Sequence, residues 1–174
     1  MSVWKLWVVL SIRLEGKGMI KILFVCLGNI CRSPMAEFVM KDLIEKKKLS
    51  SKFYVASAAT SSEEIGNSVH PGTQKKLKEL GISTVGKYAI QLKKGDYEEY
   101  DYILGMEERN IISIMRMIGS DPESKVKRLL DYGLTPRDIK DPWYTGDFDA
   151  TYRDVKEGCE ALLDFLLKQN DFKS

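Results

Sequence analysis

The stretch IKILFVCLGNICRSP, residues 20–34, decides the fold of this chain. Its first part, residues 20–27, is a nearly continuous apolar run with β-branched residues, which is typical of a buried parallel strand. Ser33 and Pro34 then begin a helix, because a serine followed by a proline is a favourable helix start. A buried strand that leads directly into a helix predicts a parallel α/β arrangement.

The rest of the chain continues this alternation of strands and helices. Two further strands and a short, mixed strand candidate are predicted at residues 53–59, 102–106 and 126–130. Helices are predicted at residues 73–80, 107–118 and 150–167, with polar loops at residues 60–72 and 133–148. The pattern predicts a single three-layer α/β domain, in which an open parallel sheet carries helices on both faces. Ligands of such sheets bind at the carboxyl ends of the strands, where the first strand delivers Cys26.

The composition is that of an ordinary soluble globular protein. Hydrophobic residues make up 44% of the 174 residues and charged residues 30%, which suits one domain. The formal net charge of +2 is too small to indicate a nucleic-acid or membrane partner. Three cysteines, an odd number, argue against a disulfide framework, and no secretory signal is present. We therefore expect a cytoplasmic protein that acts as a monomer.

The first 18 residues lie outside the strand and helix pattern. The apolar run at residues 4–12 is far too short to span a bilayer, and no small-residue cleavage site follows it. Met19 directly precedes the first strand and can serve as an alternative start. Residues 1–18 are therefore predicted to be a dispensable N-terminal extension, and residues 19–174 the folded domain.

The turn between the first strand and the helix carries the residues for phosphate chemistry. A turn of this length can aim several backbone N–H groups at one point, where the helix dipole also favours an anion. Gly28 and Asn29 tolerate the left-handed conformations that such a turn needs. Arg32 adds a planar guanidinium that can bind two phosphate oxygens. At the mouth of the turn, Cys26 is favoured as a thiolate nucleophile, to which Ser33 can donate its hydroxyl.

A thiolate nucleophile needs a general acid to protonate the leaving alkoxide or phenoxide. The candidate is Asp141, which stands in the sequence DPWY, residues 141–144, within the second predicted loop. Trp143 and Tyr144 can wall a pocket for an aromatic leaving group. From the sequence alone Asp-Pro is also a routine turn signal, so a structural turn and a catalytic acid both remain open.

Residues 26–37, CLGNICRSPMAE, resemble the signature of the low-molecular-weight protein tyrosine phosphatases. The segments at residues 57–61, 102–106 and 141–144 resemble the other motifs of that family in order and spacing. The resemblance implies a four-stranded parallel sheet of flavodoxin-like, phosphotyrosine phosphatase I-like architecture. It also implies metal-independent, cofactor-free hydrolysis of phosphotyrosine in proteins or peptides through a phosphocysteine intermediate, with inorganic phosphate and vanadate as inhibitors.

The resemblance gives each matching residue a role. Cys26 would be the nucleophile, Arg32 the phosphate clamp, and Asp141 the general acid and then the general base. The phosphate-binding loop would also contain Leu27, Gly28, Asn29, Ile30, Cys31 and Ser33. The substrate pocket would be formed by Ile30, Glu63, Trp143 and Tyr144.

Two positions depart from the family pattern. The pocket rim carries Glu63 where some members have an aromatic residue, which affects the expected substrate range. Leu80 stands where members can place a histidine near the loop asparagine, so the pattern does not explain how Asn29 is supported. Neither departure removes a catalytic group.

Two cysteines and the single histidine remain open after this assignment. Cys31 is either a redox partner that protects Cys26 through a reversible disulfide or a small residue that fills space. Cys159 lies among leucines and is predicted to pack in the core. His70 is predicted to have a loop or helix-entry role rather than to form a Cys–His pair. No paired C-x2-C motif indicates zinc, and no glycine-rich motif indicates a nucleotide.

Three rival functions remain. Phosphoarginine phosphatases of the same fold tend to carry threonine at the position of Ile30, whose apolar side chain suits an aromatic ring better. Arsenate reductases need extra cysteines to relay a disulfide, for which Cys159 is poorly placed. A phosphate-binding module without catalysis is the alternative from a different class, but the thiol, arginine and acid candidates are all present.

Overall fold

The computed structural model of the protein describes residues 18–170 and residue 172. In this part of the chain, four parallel strands form one sheet in the order β2-β1-β3-β4. The strands are β1 (Ile20–Cys26), β2 (Phe53–Ala59), β3 (Tyr102–Gly105) and β4 (Val126–Arg128). The predicted α/β sheet is thereby confirmed. The predicted extension at residues 1–18 lies outside the described residues apart from Gly18.

Helices cover both faces of the sheet. They are α1 (Arg32–Lys46), α2 (Pro71–Glu79), α3 (Asp96–Glu99), α4 (Glu108–Ile118), α5 (Pro142–Thr145) and α6 (Phe148–Gln169), with 3₁₀ turns at Ser50–Lys52 and Leu129–Asp131. One face carries α1, α2 and α6, and the other carries α4. Among the described residues, no helix combines the length and the hydropathy needed to cross a bilayer.

The central strand β1 is buried on both faces because its side chains alternate between two cores. Ile22 and Phe24 pack in the core beneath α1 and α6, whereas Leu23 and Val25 pack in the core beneath α4. β1 pairs with β2 on one side and with β3 on the other. The chain therefore changes direction across the sheet at β1, and Cys26 ends the strand at this switch point, where ligands of such sheets bind.

Side-chain caps shift two helix starts away from their predicted positions. α2 begins two residues early because Nδ1 of His70 accepts the N–H of Gly72 at 3.0 Å. α6 begins two residues early because the Asp147 carboxylate accepts the N–H of Ala150 at 2.8 Å. Each cap satisfies a backbone donor that the helix itself cannot satisfy. The predicted loop at residues 133–148 also contains the short helix α5, which was not anticipated, and neither was α3.

Candidate active site

An open pocket of about 160 Å³ lies at the carboxyl edge of the sheet. Three segments line the pocket. They are the turn after β1 (Cys26, Leu27, Gly28, Ile30, Cys31 and Arg32), the loop after β2 (Ser61, Glu63 and Glu64) and the segment at α5 (Asp141, Trp143 and Tyr144). The structure thus brings together the candidate nucleophile, arginine and acid and all the predicted pocket residues. The two other predicted members of the loop, Asn29 and Ser33, lie behind the turn and hold it.

The turn after β1 folds back on the Cys26 sulfur. Asn29 adopts φ 57°, the left-handed region, and its N–H donates to Sγ of Cys26 at 3.3 Å. Gly28 does not share this conformation, contrary to expectation. Its lack of a side chain matters for space instead, because a Cβ at this position would stand 3.3 Å from Cγ of Glu64.

The Asn29 amide holds two serines behind the turn. The N–H of Ile90 donates to Oδ1 of Asn29 at 3.1 Å, so the amide nitrogen must face the other way. It donates to Oγ of Ser33 at 2.8 Å and to Oγ of Ser57 at 2.9 Å. Oγ of Ser33 lies 3.0 Å from Sγ of Cys26, within hydrogen-bond distance, and 3.4 Å from the carbonyl of Ala58. The Ser33 hydroxyl is therefore placed where it can donate to the Cys26 sulfur.

A buried ion pair anchors Ser57, which accepts a hydrogen bond from the Asn29 amide, from behind. Ser57 donates to Oε2 of Glu37 at 2.5 Å, and this buried carboxylate also contacts Nζ of Lys87 at 3.2 Å and Nζ of Lys41 at 2.6 Å. Two cations and a hydroxyl compensate the buried charge and fix the carboxylate. Position 80 was the expected place of the missing support, but Leu80 is exposed at the end of α2. Glu37 and Lys87 provide the support instead.

The Arg32 guanidinium is buried and held by three acceptors. Nη1 donates to Glu107 at 2.8 Å and to the carbonyl of Ile139 at 2.9 Å, and Nη2 donates to Asp141 at 3.0 Å. Burial favours the neutral form, but the neighbouring Cys26, Asp141 and Glu107 outweigh it and raise the pKa of Arg32 above its usual range. Nε is buried without a hydrogen-bond partner. A buried cationic N–H with no partner, in a pocket, is suited to an anionic ligand.

Asp141 forms the predicted turn and also lines the pocket, and its role as the catalytic acid stays a prediction. Its Oδ1 accepts the N–H of Trp143 at 3.1 Å and so caps α5, whereas its Oδ2 faces Arg32. The approach to this turn is fixed because the N–H of Ile139 donates to the carbonyl of Met106 at 2.8 Å. The Asp-Pro turn is therefore the structure that points the carboxyl into the pocket.

Three other aspartates of the same loop region are engaged elsewhere and do not line the pocket. Asp138 accepts from the N–H of Glu108 and from Arg128. Asp147 caps α6, and Asp149 pairs with a lysine of α2 at 2.8 Å.

Sequence reasoning missed Glu37, Lys87 and Glu107. Glu37 had a detectable signal, since it follows Ser33 by one helical turn on the same face of α1, among residues that are otherwise apolar. Lys87 and Glu107 had no such signal in the sequence, because the residues they contact are far away along the chain.

Comparison with known proteins identifies the family. Residues 21–172 match the family model described as low molecular weight phosphotyrosine protein phosphatase. Low molecular weight protein-tyrosine-phosphatase YfkJ of Bacillus subtilis is 46% identical over 153 residues, which cover 87% of this chain and 98% of YfkJ. The YfkJ crystal structure has a TM-score of 0.86, with 44% identity over 89% of this chain and 99% of that one. A drosophila arginine phosphatase structure has a TM-score of 0.78 and 33% identity, covering 84% of this chain and 98% of its own. The chain belongs to the low-molecular-weight phosphotyrosine protein phosphatase family.

Proposed function

We propose that the protein hydrolyses phosphotyrosine monoesters through a phosphocysteine intermediate. Cys26 is the nucleophile, Arg32 holds the phosphoryl group, and Asp141 acts as general acid and then as general base. The observation that carries the proposal is Nε of Arg32, which is buried without a partner in the pocket that Cys26 lines. A phosphoryl oxygen accepting this N–H would bring phosphorus to the thiolate.

The proposed reaction consists of two displacements at phosphorus. In the first, the Cys26 sulfur bonds to phosphorus, the bond from phosphorus to the tyrosine oxygen breaks, and Asp141 gives its proton to the leaving phenolate. In the second, Asp141 takes a proton from water, the water oxygen attacks phosphorus, and the sulfur–phosphorus bond breaks to release phosphate. Arg32 and the backbone N–H groups of the turn stabilise the charge on the phosphoryl oxygens in both steps.

The side chains around the pocket support an aromatic substrate. Ile30 contributes an apolar surface, and Trp143 and Tyr144 are 58% and 79% exposed at the pocket. Aromatic rings bury a large area against such surfaces. Glu63 makes another part of the rim charged rather than aromatic. We propose tyrosine-phosphorylated proteins or peptides as the partners, and inorganic phosphate and vanadate as competitive inhibitors.

Phosphoarginine is the nearest alternative substrate, since the drosophila relative is named an arginine phosphatase. The side chain of Ile30 offers only apolar contact, which favours a tyrosine ring over a second polar group. For arsenate reduction a relay of cysteines is required. Cys159 does not line the pocket; it is fully buried, with Sγ 3.7 Å from the carbonyl of Ala36.

The preference for tyrosine is expected to appear as a higher kcat/KM for phosphotyrosine peptides than for matched phosphoserine or phosphoarginine peptides. An apolar wall supplies about 1–3 kcal/mol of such discrimination. Ile30→Thr should therefore shift the preference towards phosphoarginine by about tenfold or more, as measured by phosphate release from the three peptides. The same substitution at exposed Ile112 on α4 is the control and should shift nothing. A wild-type preference for phosphoarginine would overturn the tyrosine assignment.

We also propose that Cys31 protects the nucleophile as a redox partner. Cys31 lines the same pocket, and burial together with the neighbouring Cys26 raises the pKa of Cys31 to about 12, so it is a thiol at neutral pH. Peroxide would oxidise the Cys26 thiolate to a sulfenic acid, and the Cys31 thiol would condense with it to form a disulfide and water.

After brief peroxide treatment, wild-type activity is expected to return fully on addition of dithiothreitol, because a disulfide is reducible. Cys31→Ser should recover only a minor fraction, since its Cys26 proceeds to the sulfinic acid. Cys159→Ala is the control and should recover like the wild type. Intact-mass measurement identifies the oxidised species, and equal recovery of wild type and Cys31→Ser would contradict the protective role.

A cytoplasmic location and a monomeric state complete the proposal. A catalytic thiol must stay reduced, which the cytoplasm ensures.

A further inference from the structure

We propose that His70 is a positioning residue that holds the aromatic wall of the substrate pocket, an inference that rests on the proposed function. His70 is the single histidine of the chain and does not line the pocket. Its imidazole lies between two aromatic side chains. It stacks on Phe148, with ring centroids 5.2 Å apart and planes 17° apart, and it meets Trp143 edge-on at 5.7 Å and 75°.

The two ring contacts connect the pocket wall to a rigid part of the fold. Phe148 begins α6 and packs with Ile30 of the phosphate-binding turn. It also packs against Gly72, where an added Cβ would come within 2.4 Å of the Phe148 ring. Phe148 is therefore fixed from two sides. Trp143, in contrast, is 58% exposed, and its contact with His70 links it to this fixed ring.

The backbone of His70 is tied to the phosphate-binding turn as well. Its N–H donates to the carbonyl of Ile30 at 2.8 Å, and three residues later the hydroxyl of Thr73 donates to the carbonyl of Cys31 at 3.1 Å. Two direct hydrogen bonds thus hold the segment that carries the imidazole against the phosphate-binding turn. Trp143 in turn donates its N–H to Asp141. His70 therefore bridges the element that binds the phosphoryl group and the element that carries the proposed acid and the aromatic wall.

His70 also has a second structural role, and an experiment must separate it from the ring contacts. Its Nδ1 caps α2 through the N–H of Gly72, so a simple truncation would remove both the ring and the cap. His70→Asn removes the ring but keeps a side-chain oxygen that can cap the helix. His70→Phe keeps a ring for Trp143 and Phe148 but has no acceptor. If the ring contacts matter, His70→Asn should change KM more than His70→Phe. If only the helix cap matters, His70→Phe should change KM more than His70→Asn.

If the ring positions the wall, His70→Asn is expected to raise KM for a phosphotyrosine peptide about two- to tenfold, the range that corresponds to the loss of one aromatic contact. kcat should stay within about twofold, since the reacting groups are unchanged. His70→Phe should have a KM closer to that of the wild type and a lower melting temperature. The inhibition constant of inorganic phosphate should be unchanged in both variants, because phosphate contacts the turn and Arg32 rather than the wall.

If KM rises in His70→Phe and not in His70→Asn, only the helix cap matters and the inference is overturned. Unchanged KM values in both variants would also overturn it. If His70→Asn does not fold, Phe148→Leu removes the stacking partner and leaves the cap, and it should raise KM in the same way; an unchanged KM there also contradicts the inference. Failure of the wild type to hydrolyse phosphotyrosine would instead refute the proposed function.

Discussion

Replacing Cys26 with serine is expected to lower turnover of p-nitrophenyl phosphate and of phosphotyrosine peptides by at least about a thousandfold, because it removes an essential covalent step. The Asn29 N–H and the Ser33 hydroxyl lie within hydrogen-bond distance of the Cys26 sulfur, where the proposed mechanism needs a thiolate. A serine hydroxyl at the same place stays protonated at neutral pH and attacks phosphorus poorly. Initial rates at mildly acidic pH without added metal measure the loss.

Phosphate binding should survive Cys26→Ser, because Arg32 and the backbone N–H groups of the turn remain. Calorimetric titration with inorganic phosphate tests this part. Cys159→Ala is the matched control: it also removes one thiol, but from the core, and it should stay close to wild-type activity. If Cys26→Ser kept a tenth of the wild-type rate, the phosphocysteine mechanism would be wrong. If the wild type bound phosphate but turned nothing over, the chain would be a binding module.

Local sequence was sufficient to predict the scaffold that carries the nucleophile. β2 was predicted as Phe53–Ala59, its observed bounds, because the aromatic residues and the valine at its start favour a strand. Cys159 was predicted in the core and is fully buried there, because it shares the buried face of α6 with Leu162, Leu163 and Leu166. The turn from Cys26 to Ser33 could also be predicted, since its glycine, asparagine and arginine lie within five residues of one another, between Gly28 and Arg32.

The support around the site could not be predicted because it depends on contacts between remote segments. Arg32 is held by Glu107 and by the carbonyl of Ile139, which are 75 and 107 residues away. Lys87 reaches Glu37 only because its segment runs beside β2, where Gln91 forms a bridge with a residue of that strand. Helix α5 exists because one carboxylate caps it, and neither periodicity nor propensity indicates a helix of four residues.

Asp141→Asn is expected to slow attack on a phosphotyrosine peptide much more than attack on p-nitrophenyl phosphate. Tyrosine has a pKa of about 10, so its phenolate leaves poorly without a proton, whereas p-nitrophenolate leaves easily. General acid catalysis is worth about 10²–10⁴-fold, and the tyrosine substrate should lose close to the upper end of that range. Asparagine can still accept the N–H of Trp143 and cap α5, so the turn should remain while the proton is lost.

Single-turnover measurements on both substrates are needed, because in the proposed reaction both would form the same phosphocysteine and its hydrolysis would also use Asp141. The rate of release of the leaving group then reports the first displacement alone. Asp149→Asn is the matched control, since Asp149 is exposed, pairs with Lys76 and does not line the pocket; it should leave both rates near those of the wild type. An equal loss on the two substrates in Asp141→Asn would show that Asp141 only shapes the loop. The acid would then have to be sought at Asp138 or Asp147, whose carboxylates are engaged with Arg128 and the start of α6 and would have to leave those partners to reach the substrate.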